Sequence, residues 1–428
     1  MSAPLHAEGE RTPARTGQAS RMDSAAGLAR VAAAVDEQRV VQLISESARI
    51  KSYSGDERQI ADYMQARLAD LGLQVERQEV SPNRYNVVGR WPGSGGGKSL
   101  MFNGHMDTNP AGMGWTKDPL GGVVEDGHIF GIGVSNMKAA NGSFLHAMEA
   151  LKACGYQPKG DIVLAYVVGE LQGGVGTCKL IETGIRTDYF IVGEPTDLCL
   201  LTCHAASFVF RIHVHGKTRH LSKMEEGVDA IAGAMKIAAQ LRELKFSGAP
   251  TQESQDLSRI NIGVIRGGMT AEYFEWRPQQ LADVCTLKCA GRFGYGQTQD
   301  GAMADIRALL DRIERDTPGL KAELELFEDN RIFMPPFKVG EDAPPVIALQ
   351  EAAADVLGHV PATGAIAPYK FLGSDAAHLA QAGMTGVVMG PGGKYNTMPD
   401  ERVSIVDIVA AAKIYAMATA QLTQGTFK

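Results

Sequence analysis

Apolar positions along this chain switch between two periods. Over residues 26–50 and 56–71 they recur every three to four residues, which predicts amphipathic helices, the second ended by Gly72. Strand-like runs follow at 75–80 and 85–90, then a Gly-rich turn at 93–97 and an apolar strand at 99–102. A helix at 138–154, a strand at 161–168, a helix at 176–183 and a strand at 189–193 continue the alternation. Strands alternating with helices predict an α/β layer with a mainly parallel sheet.

From residue 207 the order becomes strand (208–214), helix (228–244), strand (259–266), strand (281–289), helix (301–317) and strand (321–328). That β-α-β-β-α-β order predicts a ferredoxin-like α+β domain inserted into the first one. The α/β pattern then resumes with a helix at 346–357, a segment at 373–382, a strand at 385–389 and a last helix from 405 to 423. The expected division is a flexible extension at 1–25, a catalytic domain in two parts at 26–206 and 329–428, and the inserted lid or dimerisation domain at 207–328.

Composition narrows the class without naming a function. At 428 residues, 44 % hydrophobic and 21 % charged, the chain is ordinary globular material, long enough for two cores. A net charge of −7 with no long basic run argues against a nucleic-acid partner. No apolar window approaches the roughly 18 to 20 uncharged residues of a membrane span, so no membrane partner is expected. Six scattered cysteines without a CxxC pair, and no apolar h-region near the N-terminus, predict reduced thiols and a cytoplasmic location.

Candidate chemistry sits at strand ends. In Asn103-Gly104-His105-Met106-Asp107-Thr108 a strand delivers a His and an Asp two residues apart on one side, so Asp107 is expected to steady and polarise His105. Gly131-Ile132-Gly133-Val134-Ser135-Asn136-Met137-Lys138 is a Gly-punctuated loop entering a helix. Glu170 in Gly169-Glu170-Leu171-Gln172-Gly173-Gly174-Val175-Gly176-Thr177 and Glu194 in Gly193-Glu194-Pro195-Thr196 are carboxylates at two further strand ends, where α/β sheets open their ligand crevices. His220 follows the first strand of the insert. Taken singly, each segment also reads as a plain turn or a solvated strand end.

Together, in this order and with an insert following, they resemble the metal-dependent aminoacylase and carboxypeptidase family, which includes acetylornithine deacetylase and succinyl-diaminopimelate desuccinylase. The GHMDT, GxGxxxMK, GExxGGxGT, GEPT and GPGG (Gly390-Pro391-Gly392-Gly393) elements carry the resemblance across residues 35–420. It implies a metallopeptidase-like catalytic domain with His105 and Glu194 as metal ligands and Asp107 beside them. It further implies Glu170 as general base and His220, often reaching across a dimer, as a group that holds the reacting carbonyl. Three positions depart from the family pattern: the metal-bridging Asp is Asn136, the Glu ligand after the base is Leu171, and the late His is Thr397.

These departures fall largely on one of two metal positions, so one divalent transition metal, manganese or zinc, is expected, weakly held by His105, Glu194 and Asn136. Arg292 and Lys370 are candidates to bind a substrate carboxylate, and Asp375 either contributes to substrate binding or caps a helix. The implied partners are a small carboxylate-bearing substrate and a second copy of the chain through the insert. The implied reaction is hydrolysis of a carbon–nitrogen bond. The altered ligand set suggests a changed electrophile, and the chain's overall resemblance to aminohydrolase members of that family implies hydrolytic deamination of an aromatic amine such as 5-nitroanthranilate. The alternatives are an amidohydrolase or dipeptidase on N-acyl amino acids, and a non-catalytic small-molecule binding protein.

Overall fold

The apolar runs that read as buried strands form the centre of a mixed eight-stranded sheet. The structure is a computed structural model describing residues 16–273, 278–327 and 331–427. In chain order the large sheet receives β1 (Gln74–Ser81), β2 (Arg84–Trp91), β3 (Leu100–His105), β4 (Ile162–Val167), β5 (Tyr189–Val192) and β6 (Leu200–Leu201). The insert then supplies β7 (Phe208–His215), β8 (Arg259–Gly268), β9 (Val284–Arg292) and β10 (Lys321–Leu326), before β11 (Thr363–Gly364) and β12 (Thr385–Val388) return to the large sheet.

The large sheet runs β1-β2-β4-β3-β5-β12-β6-β11. Its four central strands β4, β3, β5 and β12 are parallel, as expected, whereas β2 meets β4 and β6 meets β12 in antiparallel fashion. Every residue of β3 and β4 is buried, which is why they read as unbroken apolar runs. Alternate residues feed the two faces. Phe102, Leu164 and Ile191 pack with Phe144 of α1 (Ala139–Ala153) and Tyr415 of α2 (Ile405–Leu422). Met101, Val163 and Phe190 pack on the other side with Leu180 and Leu379.

The insert sheet runs β8-β9-β7-β10, antiparallel throughout, the order of the split βαβ unit. Phe208, Phe210, Ile212 and Val214 alternate inward along β7 against Ile237, Leu241, Ile306 and Leu310 of its two helices. It has its own core.

Two expectations need correction. Residues 1–15 of the expected loose extension lie outside the described residues, but residues 16–25 belong to a helix, Thr16–Ala33, favoured by its Ala, Arg, Met and Leu content. The single helix expected over 26–50 breaks at 34–36, where the Asp36 carboxylate accepts from Gln38 N and Arg39 N (2.8 and 3.3 Å) and starts a new one at Glu37. Residues Ile405–Leu422 are long and apolar enough to cross a membrane by length and composition, although Asp407 and Lys413 keep the window from being uncharged. That helix is 67 % buried inside the protein, so its apolar surface is spent on the core. A small sheet joining Val123–Glu125, His128–Phe130 and Arg402–Ser404 was not anticipated, and it draws the segment before residue 402 against the middle of the chain.

Candidate active site

The C-terminal ends of β3, β4 and β5 converge on one point. His105 is the last residue of β3, Glu170 opens a turn three residues beyond β4, and Glu194 lies two residues beyond β5. All three side chains are buried, and their ligand atoms lie within 4.8 Å of one another. This is the crevice a parallel sheet opens at its carboxyl edge.

The local sequence explains how each side chain is held. Gly104 touches Asn141 so closely that any side chain there would collide, and Asn141 Nδ2 donates to the His105 carbonyl at 2.7 Å. The Glu170 turn is bracketed by Gly169 and Gly173, whose φ of 71° and 89° suit glycine. The Gly193-Glu194-Pro195-Thr196 and Gly390-Pro391-Gly392-Gly393 segments fold onto each other, with Thr196 N donating to Gly390 O at 3.2 Å and Asp197 N to Gly392 O at 2.6 Å.

Asp107 does its work differently from the expectation. His105 Nδ1 donates to the Asp107 backbone carbonyl at 2.9 Å, and the nearer carboxylate oxygen stands 3.5 Å away. The carboxylate instead accepts from Glu170 N (3.1 Å), Leu171 N (3.2 Å) and Ser54 Oγ (2.8 Å). The first two donors are N–H groups of the turn that carries Glu170, and a buried carboxylate goes where such donors point. The imidazole orientation is therefore set by a backbone carbonyl, which leaves Nε2 facing Asn136 Oδ1 at 2.7 Å and Glu194 Oε1 at 3.6 Å.

Four buried carboxylates, Asp107, Glu170, Glu194 and Asp375, surround this one imidazole. Burial pushes Glu194 up to about 7, with His105 opposing and Asp375 and Asp107 reinforcing the shift. Asp375 also rises to about 7 through burial, against the pull of His105. Glu170 lies well above the usual carboxylate range through burial and the charge of Glu194. Burial works to lower His105, but Glu194, Asp107 and Glu170 outweigh it and raise the imidazole well above its ordinary value. Negative charge is in excess here, and Glu194 Oε1 has no hydrogen-bond partner. An orphaned carboxylate oxygen beside an imidazole nitrogen with a fixed tautomer is a donor set that fits a divalent transition metal.

The departures from the family pattern come together in space. Asn136, Leu171 and Thr397 line a cavity of about 270 Å³ with Glu170 and Glu194. Asn136 is held from behind by Glu401, whose Oε1 accepts from Ser135 N (2.9 Å) and Asn136 N (3.1 Å). Burial raises Glu401 to about 7, against the backbone N–H groups it accepts from.

The substrate-binding candidates divide. Arg292, at the end of β9, lines the same cavity and is half-buried, donating to Ser207 Oγ (2.6 Å), Phe371 O (3.0 Å) and Gly291 O (3.2 Å). Among the described residues it makes no salt bridge. Burial lowers its pKa, with Glu170 opposing. Lys370 does not reach the cavity: its ammonium stands 5.3 Å from the Phe371 ring centroid, and the Phe371 carbonyl faces Arg292 instead. Asp375 neither lines the cavity nor caps the helix Ala376–Gln381 that it precedes. It is buried behind the Glu170 turn, packed against Gly174, with Oδ1 unpartnered. His220 is exposed on the insert, where Ser222 N donates to its Nδ1 at 3.2 Å, and within one chain it does not line the cavity. A loop residue on a separate domain is placed by domain packing, which no local pattern encodes.

Sequence reasoning missed several lining residues. Ser207, Arg331, Phe327 and Phe333 close the cavity from the insert side. They flank the two chain crossings between the domains, where no motif announces a pocket. Glu401 stands four residues after Thr397, but no motif singled it out.

The sequence model of peptidase family M20/M25/M40 matches residues 101–421, three quarters of the chain. The chain belongs to that family. N-formyl-4-amino-5-aminomethyl-2-methylpyrimidine deformylase of Bacillus subtilis is 26 % identical over 385 residues, covering 83 % of this chain and 87 % of the relative. Acetylornithine deacetylase of Myxococcus xanthus is 28 % identical over 381 residues, covering 86 % and 92 %. The fold is similar to that of an M20 family metallo-carboxypeptidase from Sulfolobus solfataricus, with a TM-score of 0.72 at 16 % identity over 90 % of this chain and 99 % of that one. As an M20 member the chain is a metal-dependent hydrolase of the class that cuts amide carbon–nitrogen bonds. Both curated relatives are named for removing an acyl group, which fits the amide alternative better than deamination of an aromatic amine.

Proposed function

We propose that this protein is an amidohydrolase for a small N-acyl compound that carries a carboxylate. The observation that supports the reading best is one cavity lined by the carboxylates of Glu170 and Glu194 and by the guanidinium of Arg292. A cavity that sets a cation with no ion-pair partner among the described residues beside a base suits an anionic substrate with a reactive bond nearby.

Arg292 would pair the substrate carboxylate and set the amide against the carboxyl edge of the sheet. Glu170, with its raised proton affinity, would accept a proton from the attacking water and return it to the nitrogen as the carbon–nitrogen bond breaks. His105 and Glu194 would hold one manganese or zinc ion, with the Asn136 amide oxygen beside it, and the ion supplies Lewis acidity. Asp107 would keep the Glu170 turn in place through the two backbone N–H groups it accepts from. His220 would stabilise the developing oxyanion from a second copy docked through the insert, whose strand β8 exposes Val264 and Ile265.

The second reading, deamination of an aromatic amine, is favoured by one feature: Leu171 and Thr397 stand where further ligands would close the site. The test is turnover of a panel of N-acyl amino acids and aryl amines by zinc- or manganese-loaded protein. Release of a carboxylic acid supports the amidohydrolase and release of ammonia the aminohydrolase. Glu170→Gln is expected to lower kcat by about 100- to 10,000-fold with the fold intact. No turnover of any member, with Glu170→Gln binding them like wild type, would leave a binding protein.

A further inference from the structure

A second cavity, of about 260 Å³, adjoins the first and shares Asn136, Leu171 and Thr397 with it. The two differ in what else they contain. Glu170, Glu194 and Arg292 line only the first, and His105 lines only the second. The reacting centre therefore stands at a junction between two chambers.

The second chamber is built for an uncharged group. Pro110, Trp115, Ile132, Leu171 and Met398 supply its apolar surface, and no Lys or Arg is among its described lining residues. Its one carboxylate, Glu401, already accepts the Ser135 and Asn136 N–H groups. The wall is also pre-formed. Asp400 accepts from Thr116 N (2.9 Å), Thr116 Oγ1 (2.6 Å) and Lys117 N (3.1 Å), which fixes the loop that presents Trp115. The volume exceeds the roughly 150 Å³ in which a benzene ring is known to fit. Leu171 carries no charge and no side-chain donor, so where the two chambers meet it offers an apolar contact to an uncharged group.

We infer that this second chamber is the subsite for an aryl ring borne by the acyl carbon of the substrate, while the carboxylate stays in the first chamber against Arg292. The inference rests on the amidohydrolase reading and sharpens it from N-acyl to N-aroyl compounds. The three lining residues shared with the reaction cavity identify the occupant: a substrate held beside Asn136, Leu171 and Thr397 has one end toward each chamber.

The test uses two ketone isosteres that cannot be hydrolysed, levulinate in place of an N-acetyl substrate and benzoylpropionate in place of an N-benzoyl one. Each is titrated calorimetrically into zinc-loaded protein. Benzoylpropionate is expected to bind about tenfold tighter or more, the return on burying one ring. Trp115→Ala should abolish that preference and leave levulinate binding unchanged. Met398→Asp, at a position 44 % exposed and so tolerant of change, should weaken benzoylpropionate alone should the Trp variant not fold. Levulinate binding without an aryl preference, or a preference untouched by both variants, overturns the subsite and spares the amidohydrolase reading. Failure of both ligands to bind overturns both.

Discussion

Asp107→Asn separates two roles that a carboxylate beside a histidine can have. Asp107 is fully buried and accepts three hydrogen bonds, from Glu170 N, Leu171 N and Ser54 Oγ at 3.1, 3.2 and 2.8 Å. An amide in its place keeps one acceptor oxygen and turns an NH2 group toward at least one of the two backbone N–H groups. One buried donor then faces another, and two charge-assisted bonds become at most one neutral bond. We expect a loss of about 3–6 kcal/mol of stability, because a hydrogen bond to a buried charge contributes about 1.5–3 kcal/mol and an unsatisfied donor costs about as much again. The same change frees the Glu170 turn, and misplacing a base by about 1 Å costs roughly a hundredfold in kcat. The assay is a double-mutant cycle with Glu170→Gln, reading kcat at saturating zinc, urea denaturation and zinc affinity by chelator competition. In the Glu170→Gln background Asp107→Asn should cost little further activity, since there is no longer a base to misplace. Zinc affinity reduced tenfold or more, with stability and kcat at saturating zinc unchanged, would show that Asp107 acts through the imidazole and refute the reasoning.

Other outcomes follow from the same geometry. Glu194, Asp375 and Glu401 each rise to about 7, so between about pH 4.5 and 7 the folded metal-free protein holds protons that the unfolded chain has released. Their stabilising contribution is complete at the acid end and is lost as pH rises, so the metal-free melting temperature should fall across that window. A rise there would contradict the assignment. Metal analysis after mild dialysis should find at most one divalent ion per chain, because Leu171 and Thr397 offer no strong ligand, and two retained ions would exclude the single-ion site. Arg292→Ala should raise KM for the carboxylate substrate by about 10- to 100-fold, as expected for a lost charge-assisted bond, while Lys370→Ala leaves KM unchanged. Equal effects of the two variants, read from steady-state kinetics, would place Lys370 in the cavity.

The pattern of apolar positions already contained the two layers, the insertion and the strand ends that carry His105, Glu170 and Glu194. These are local properties. A strand buried on both faces must be apolar throughout, as β3 and β4 are, and the residue that ends it must turn toward the crevice. Glycines at positive φ, such as Gly169 and Gly173, likewise announce the Glu170 turn in one dimension.

What the pattern could not hold was the direction of side chains that bond across the fold. Spacing alone pointed Asp107 at its neighbour His105, yet its carboxylate faces N–H groups 63 and 64 residues away in the chain. Lys370 and Arg292 read alike as candidates for a substrate carboxylate, and only the packing of the turn at Tyr369–Phe371 against β9 put one in the cavity lining and left the other out of it. The two chambers and their shared wall of Asn136, Leu171 and Thr397 exist because three distant segments meet. Periodicity reports which face of an element is buried, whereas a cavity is the space left when several faces fail to fill one another, and that is settled only once the elements are packed.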